Sequence, residues 1–230
     1  MDTSLLFGTT TLAELLINAT RRHGPKVAFV DDRGDVTYQA LASRVSQAVA
    51  VFRKLGLTAG DTVAQLAGNR PETFVIMMAC YVFGARSVAL HPLGGEDDQS
   101  FVLADSKAKL VIADASHVDR VNHLRERNGG IKHWFSHGPT SGLDDFWSCA
   151  RAEPISELEP HGEAEDIVRL AYTGGTTGQP KGVMLSNRSL VSYVTLALSG
   201  IDWPADVRLL CTTPITHAAG SLILPTLRSG

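Results

Sequence analysis

The sequence predicts an α/β fold, a mostly parallel sheet flanked by helices. Two observations carry that prediction. From Gly60 onward, apolar runs of four to six residues alternate with longer helical stretches, the cadence of strand–helix units. The units, among them strand Leu110-Val-Ile-Ala113 and the helix after it, repeat at a length that implies a sheet with helices on both faces. The 230 residues are 44% hydrophobic and 20% charged, with a formal net charge of -3. That is an ordinary globular composition with enough length for a large core.

The first helix is expected at Thr11-Leu-Ala-Glu14, a capping-box pattern, running to about Arg22 with Leu12, Leu15, Leu16 and Ala19 inward. Val27–Val30 and Val36–Tyr38 form a hairpin around Asp31–Asp35. Gly34 is the residue there able to take a positive φ. Leu41, Val45, Ala48 and Phe52 then mark one helical stripe, ended by Gly56 or Gly60. Strand Thr62–Ala67 leads to a buried helix, Thr73 to Val82, with Pro71 at or near its first position. Strand Ala85–Leu90, helix Asp97–Ala104, strand Leu110–Ala113, helix Val118–Arg127 and strand Ile131–Phe135 follow.

Ser136 to Glu165 is the least patterned stretch, read as a surface excursion with a short helix near Leu143–Ala150. Beyond it come strand Ile167–Tyr172, short strand Val183–Leu185 and a helix to about Leu198 capped by Ser186 or Asn187. A strand at Asp206–Cys211 and a last helix, Ser221 to about Leu227, complete the expectation.

Between two of these strands, expected to be buried, lies Tyr172-Thr-Gly-Gly-Thr-Thr-Gly-Gln-Pro-Lys-Gly182. Glycines lose the most backbone entropy on ordering, and hydroxyls and ammoniums need partners where water is excluded. Such a turn is costly as a mere connector and well suited to phosphate. Glycine backbone N–H groups converge on an anion, Thr173, Thr176 and Thr177 add hydroxyls, and Lys181 adds a mobile charge. It is not a Walker A loop, because Pro180 precedes Lys181 and Gly182 stands where the magnesium-holding hydroxyl belongs. Adjacent Gly174 and Gly175 also rule out the dinucleotide fingerprint.

This stretch, continued by Val183-Met-Leu-Ser186, resembles the signature loop of the adenylate-forming enzymes: acyl-CoA synthetases, luciferases and the adenylation domains of peptide synthetases. Three further segments are similar to family elements: Asp35-Val-Thr-Tyr-Gln-Ala-Leu41, Gly60-Asp-Thr-Val through Asn69-Arg-Pro-Glu72, and Tyr81-Val-Phe-Gly-Ala-Arg-Ser-Val-Ala-Leu-His-Pro92. The resemblance thus covers nearly the whole chain. Ala40 departs from it where the family usually has an acid, Gly174 where serine is common, and Asn187 where many members have histidine. Asn187 is assigned a capping role only.

The resemblance implies ATP-dependent activation of a carboxylic acid, a fatty acid in the first instance, to an acyl-adenylate, then transfer to coenzyme A. Thr173, Gly174, Gly175, Thr176, Thr177, Gly178 and Lys181 are assigned to the ATP β- and γ-phosphates. His217, in Pro214-Ile-Thr-His-Ala-Ala-Gly220, resembles the residue lining the junction of acyl pocket and ATP. The residue type alone also fits a polar side chain with a backbone partner; the resemblance assigns His217, with Ala218 and Gly220, to the acid. Its contribution is one of position, a hydrogen bond to carboxylate or phosphate. Gly220 is expected to let backbone pass close to the acyl chain, and the small Ala218-Ala219-Gly220 set leaves room for a bulky or extended acid. Mg2+ is expected with the ATP.

An adenylation domain serving a carrier protein and a non-catalytic module with a relic loop are the alternative readings. The later family segments for adenine, ribose and the catalytic lysine are not found in these residues. The expectation is therefore a partial N-terminal AMP-binding domain: an α/β portion over 1–165, the loop hairpin over 166–187 and the start of the acyl pocket over 188–230. Such a piece is expected to be inactive alone, to miss the C-terminal part of its own chain and to be prone to self-association through exposed apolar surface.

Other residues carry no competing chemistry. Cys80, Cys149 and Cys211 match no metal or redox spacing, and inert buried thiols are expected at Cys80 and Cys211. His91 is read as structural, and the remaining histidines show no ligand spacing. The acidic pairs are read as solvated turns and caps. Basic residues are scattered without interleaved aromatics, against a nucleic-acid surface. No secretory h-region or membrane-length run occurs, so a cytoplasmic location is expected.

Overall fold

The computed structural model describes residues 10–173, 178–216 and 218–230. Helices are α1 (Leu12–His23), α2 (Tyr38–Lys54), α3 (Pro71–Phe83), α4 (Glu96–Asp105), α5 (Val118–Arg127), α6 (Phe146–Arg151), α7 (Asn187–Gly200), α8 (Ala218–Ser221) and α9 (Ile223–Ser229). Strands are β1 (Val27–Asp31), β2 (Gly34–Thr37), β3 (Thr62–Leu66), β4 (Arg86–Ala89), β5 (Ala108–Ala113), β6 (His133–Ser136), β7 (Asp144–Asp145), β8 (Ile167–Thr173) and β9 (Lys181–Ser186).

Strands β1 and β2 form a separate antiparallel hairpin. Gly34 has φ +117° at its turn, where a side chain would be strained. The other strands make one sheet in the order β7-β6-β5-β3-β4-β8-β9. Every neighbouring pair is parallel except β8 and β9. Alternate residues of the central strands enter opposite cores. Val63, Leu110 and Ile112 face α1, α2 and α3, while Ala64, Leu66, Val111 and Ala113 face α4 and α5. The apolar residues of these strands are therefore covered on both faces of the sheet.

Local signals set the helix ends. The capping box at Thr11 forms, with Glu14 N–H donating to Thr11 Oγ1 at 3.2 Å and Thr11 N–H to Glu14 Oε2 at 2.8 Å. Pro71 stands in the first turn of α3, whose amide positions need no helical acceptor, and Gly84 ends the helix at φ +81°. The stripe Leu41, Val45, Ala48 and Phe52 is fully buried.

Four expectations are corrected. Residues 136–165 are not merely a surface excursion. Strand β7 pairs with β6, and Phe146 of α6 is fully buried against Phe52, Phe135 and Trp147. A helix of six residues is too short to show a periodic signal. Strand β9 is not buried either: Val183 is 46% and Met184 69% exposed. It lies at the edge of the sheet, with β8 as its one neighbour among the described residues. Residues 206–211 form no strand; they join no ladder among the described residues, and Leu210 is 84% exposed. Apolar sequence alone cannot make a strand without a partner edge. The last helix is divided into α8 and α9.

Candidate functional site

In a parallel sheet every crossover delivers the next loop to the same edge, so the C-terminal ends of β3, β4, β5, β6 and β8 gather there. Gly68–Arg70 follow β3, His91–Gly95 follow β4, Asp114 follows β5, His137 follows β6 and Thr173 closes β8. Chain connections diverge on the two sides of β3, the usual place for a ligand crevice in such sheets.

The crevice between β3 and β5 is occupied by the protein's own charges. Asp114 accepts from the Gly68 N–H at 2.8 Å and pairs with Arg70 Nε at 3.1 Å. Arg70 also donates to the His137 carbonyl at 3.3 Å. His137 is buried beneath them, and its Nδ1 accepts from Trp147 Nε1 at 2.9 Å. Burial lowers its pKa to about 4, against the pull of Asp114, so this imidazole stays neutral as a structural post.

The open part of the edge lies at β8. Its ladder with β9 runs from Ile167↔Ser186 to Thr173↔Lys181, so Thr173 and Lys181 face each other at the mouth of the Gly/Thr loop. Both are exposed, and no carboxylate pairs with Lys181 among the described residues. Gly178 lies in an exposed bend. The assigned Gly174, Gly175, Thr176 and Thr177 lie outside the described residues. Tyr172 secures the hairpin from below. Its hydroxyl donates to Asp105 Oδ2 at 2.6 Å, and burial with the Asp105 charge raises its pKa, keeping it a donor. A Cβ on Gly182 would lie 2.9 Å from the Tyr172 ring, so the glycine of this motif makes room for the tyrosine.

His217 also lies outside the described residues, but its approach is fixed. Arg169 of β8 donates to the carbonyl of Thr216, the residue before it. Strand β8 therefore holds the His217 segment at Arg169 and opens the Gly/Thr loop at Thr173. Ala218 starts α8. Gly220 is buried, and a Cβ there would lie 1.5 Å from the Ile215 carbonyl oxygen. Its own chain requires this glycine, a constraint that the expected approach of an acyl chain did not foresee.

Sequence reading missed three supports: Asn69, which bonds the segment before His217; Arg169, an apparently ordinary strand arginine; and the Tyr172–Asp105 bond. Tyr172 carried a signal as the first residue of the motif, and Asn69 as part of a segment similar to a family element; Arg169 carried none. Asn187 needs a correction. Ser186 is the N-cap of α7, accepting from the Ser189 N–H. Asn187 is instead buried as a tie, accepting from the Leu12 N–H at 3.2 Å and donating to the Glu163 carbonyl at 2.9 Å. Cys80 is buried as expected and burial raises its thiol pKa, while Cys211 is only half-buried. Among the described residues no group of three or more His, Cys, Asp or Glu is placed to hold a metal, and no helix is long and apolar enough to cross a membrane.

Comparison with known proteins converges on one group. The chain is 34% identical over 235 residues to the medium/long-chain-fatty-acid–CoA ligase FadD8 of Mycobacterium tuberculosis, covering 98% of this chain and 41% of that protein. It is 29% identical over 210 residues to 4-coumarate–CoA ligase 4 of Arabidopsis thaliana, covering 85% of this chain and 36% of that one. The chain thus spans less than half the length of these relatives. Among solved structures, the inhibitor-bound N-terminal domain of FACL13 from Mycobacterium tuberculosis superposes with a TM-score of 0.88 at 25% identity, over 96% of this chain and 55% of that domain. The family model described as AMP-binding enzyme matches residues 16–230, and the chain belongs to that family of adenylate-forming enzymes.

Proposed function

We propose that this chain carries the polyphosphate grip and one wall of the acid pocket of an acid–CoA ligase acting on a fatty acid. The observation that carries the reading is the double use of β8, with Thr173 facing Lys181 at the loop mouth and Arg169 holding the residue before His217.

In the proposed reaction a carboxylate oxygen attacks the α-phosphorus of ATP, pyrophosphate leaves, and an acyl-adenylate forms. The thiol of coenzyme A then attacks the acyl carbonyl, and AMP leaves with its bonding pair as the thioester forms. The donor set fits a polyphosphate: an exposed lysine without a carboxylate partner, a threonine hydroxyl facing it, and a glycine-rich backbone between. Thr173, Gly174, Gly175, Thr176, Thr177, Gly178 and Lys181 offset the charge that grows on the departing pyrophosphate. His217 donates a hydrogen bond that orients the attacking carboxylate, with Ala218 and Gly220 beside it. The nucleophile belongs to the substrate, so no side chain has to be activated. Mg2+ is expected to accompany the ATP. The fatty-acid preference rests on the similarity to the FadD8 ligase.

The 230 residues alone are expected to bind nucleotide weakly and to form no thioester. Calorimetric titration with ATP tests the grip: Lys181→Ala should weaken binding about tenfold or more, as loss of a charge-assisted contact implies. Binding unaffected by the substitution would overturn it in favour of a relic loop. Pyrophosphate exchange with fatty, aryl and amino acids tests the rest. Acid-dependent exchange by this chain alone would refute its inactivity, and preference for an amino acid would move the reading to a carrier-protein adenylation domain.

A further inference from the structure

The segment 211–216 has neither ladder nor helix to hold it, yet it leads directly to His217. Its backbone is gathered by one side chain. Asn69 Nδ2 donates to the carbonyls of Cys211 at 3.1 Å and Thr213 at 2.9 Å, and Asn69 Oδ1 accepts from the Ile215 N–H at 2.9 Å. This uses both donors and the acceptor of a carboxamide. Aspartate has no donor for the two carbonyls, and glutamine is one methylene longer. Asn69 sits three residues beyond the end of β3, next to the arginine that pairs with Asp114, so its base is anchored in the best-buried part of the sheet. Arg169 takes the carbonyl of Thr216, at the end of the segment. Beyond it, the Gly220 backbone is seated against the Ile215 carbonyl. Four backbone ties, at Cys211, Thr213, Ile215 and Thr216, thus fix a stretch with no regular structure of its own.

We infer that Asn69 and Arg169 are positioning residues that register the acid-pocket wall, His217 to Gly220, against the phosphate hairpin. This rests on the ligase reading above. Neither residue touches the reacting atoms in this scheme. Asn69 sets the approach of the segment from β3, and Arg169 ties its end to the strand that opens the Gly/Thr loop. Position at this junction matters because attack requires the carboxylate and the α-phosphorus to meet in one geometry.

The test uses the 230-residue chain and reads position and binding separately. Amide hydrogen exchange over 211–216 should accelerate about tenfold or more in Asn69→Ala, with exchange in β3 and β5 unchanged. Asn69→Asp should keep protection at the Ile215 amide and lose it elsewhere in the segment. Calorimetry then compares ATP with a non-hydrolysable fatty acyl sulfamoyl-adenosine. Asn69→Ala and Arg169→Lys should each weaken the acyl-adenylate mimic by about tenfold and leave ATP affinity within about twofold. Unchanged exchange in the segment, or equal weakening of both ligands, overturns the positioning role while leaving the ligase reading intact. If the unsubstituted chain binds neither ligand although exchange behaves as expected, the ligase reading falls and the positioning role with it. Should Asn69→Ala fail to fold, Asn69→Asp carries the same comparison.

Discussion

Strands β3 and β9 belong to one sheet and have opposite surroundings. All five residues of β3 are buried between two helical layers, and the ends of its neighbours are closed by the Arg70–Asp114 pair. Strand β9 has one neighbour among the described residues, and it carries an exposed row of residues and a glycine-rich loop at its mouth. Burial of a large apolar side chain contributes about 1.5–3 kcal/mol, so the first region holds the molecule together. The second contributes little to that and leaves Thr173 and Lys181 exposed, with no carboxylate paired to Lys181 among the described residues. The contrast teaches that the candidate site is built where the sheet stops covering itself.

The contrast is breakable by substitution, and the largest effect should come from the first region. Phe146→Ala should cost about 3–5 kcal/mol, read as a shift in urea midpoint. A cost below about 1 kcal/mol would show that α6 lies outside the core and restore the view of 136–165 as an excursion.

Next is pH. His137 is buried neutral with a pKa of about 4, below its ordinary value of about 6.5 when unfolded. Between these values the unfolded chain binds the extra proton and the folded chain does not. Stability is therefore intact above about pH 6.5 and falls as pH drops toward 4, by on the order of 3 kcal/mol in all. Thermal unfolding across that window should be markedly shallower in His137→Gln. An equal slope in both proteins would remove His137 as the cause.

Asn187→Ala should cost about 1–3 kcal/mol, because it strands the buried Leu12 N–H. A capping residue exposed to solvent would cost less, so the value separates the tie from the cap. Smallest of all, Met184→Ser on the exposed face of β9 should change stability by no more than about 0.5 kcal/mol. A larger loss would mean that β9 is covered in solution, through self-association visible by sedimentation.

Much of the fold was legible because it is local. Thr11 and Glu14 announce a capping box three residues apart, Pro71 and Gly84 bracket α3, and the repeated strand–helix units around β5 imply cover on both faces. The Gly/Thr loop was legible for the same reason: its glycines, threonines and lysine are contiguous. Residues 206–211 show the limit, since they read as a strand and find no edge to join. Phe146 shows it from the other side, an aromatic on a six-residue helix that packs on Phe52 of α2 and Phe135 of β6.

What the sequence determined by itself is therefore most of the order of helices and strands, and the mostly parallel sheet that order implies, both functions of residues within a turn or two of one another. Only the tertiary structure decided that Asn69 holds a segment 142–146 positions away, that Arg169 ties β8 to Thr216, and that Asn187 joins α1 to α7 rather than capping. Hydrogen bonds of that kind depend on which loops the parallel crossovers deliver to one sheet edge, and no local propensity encodes that meeting.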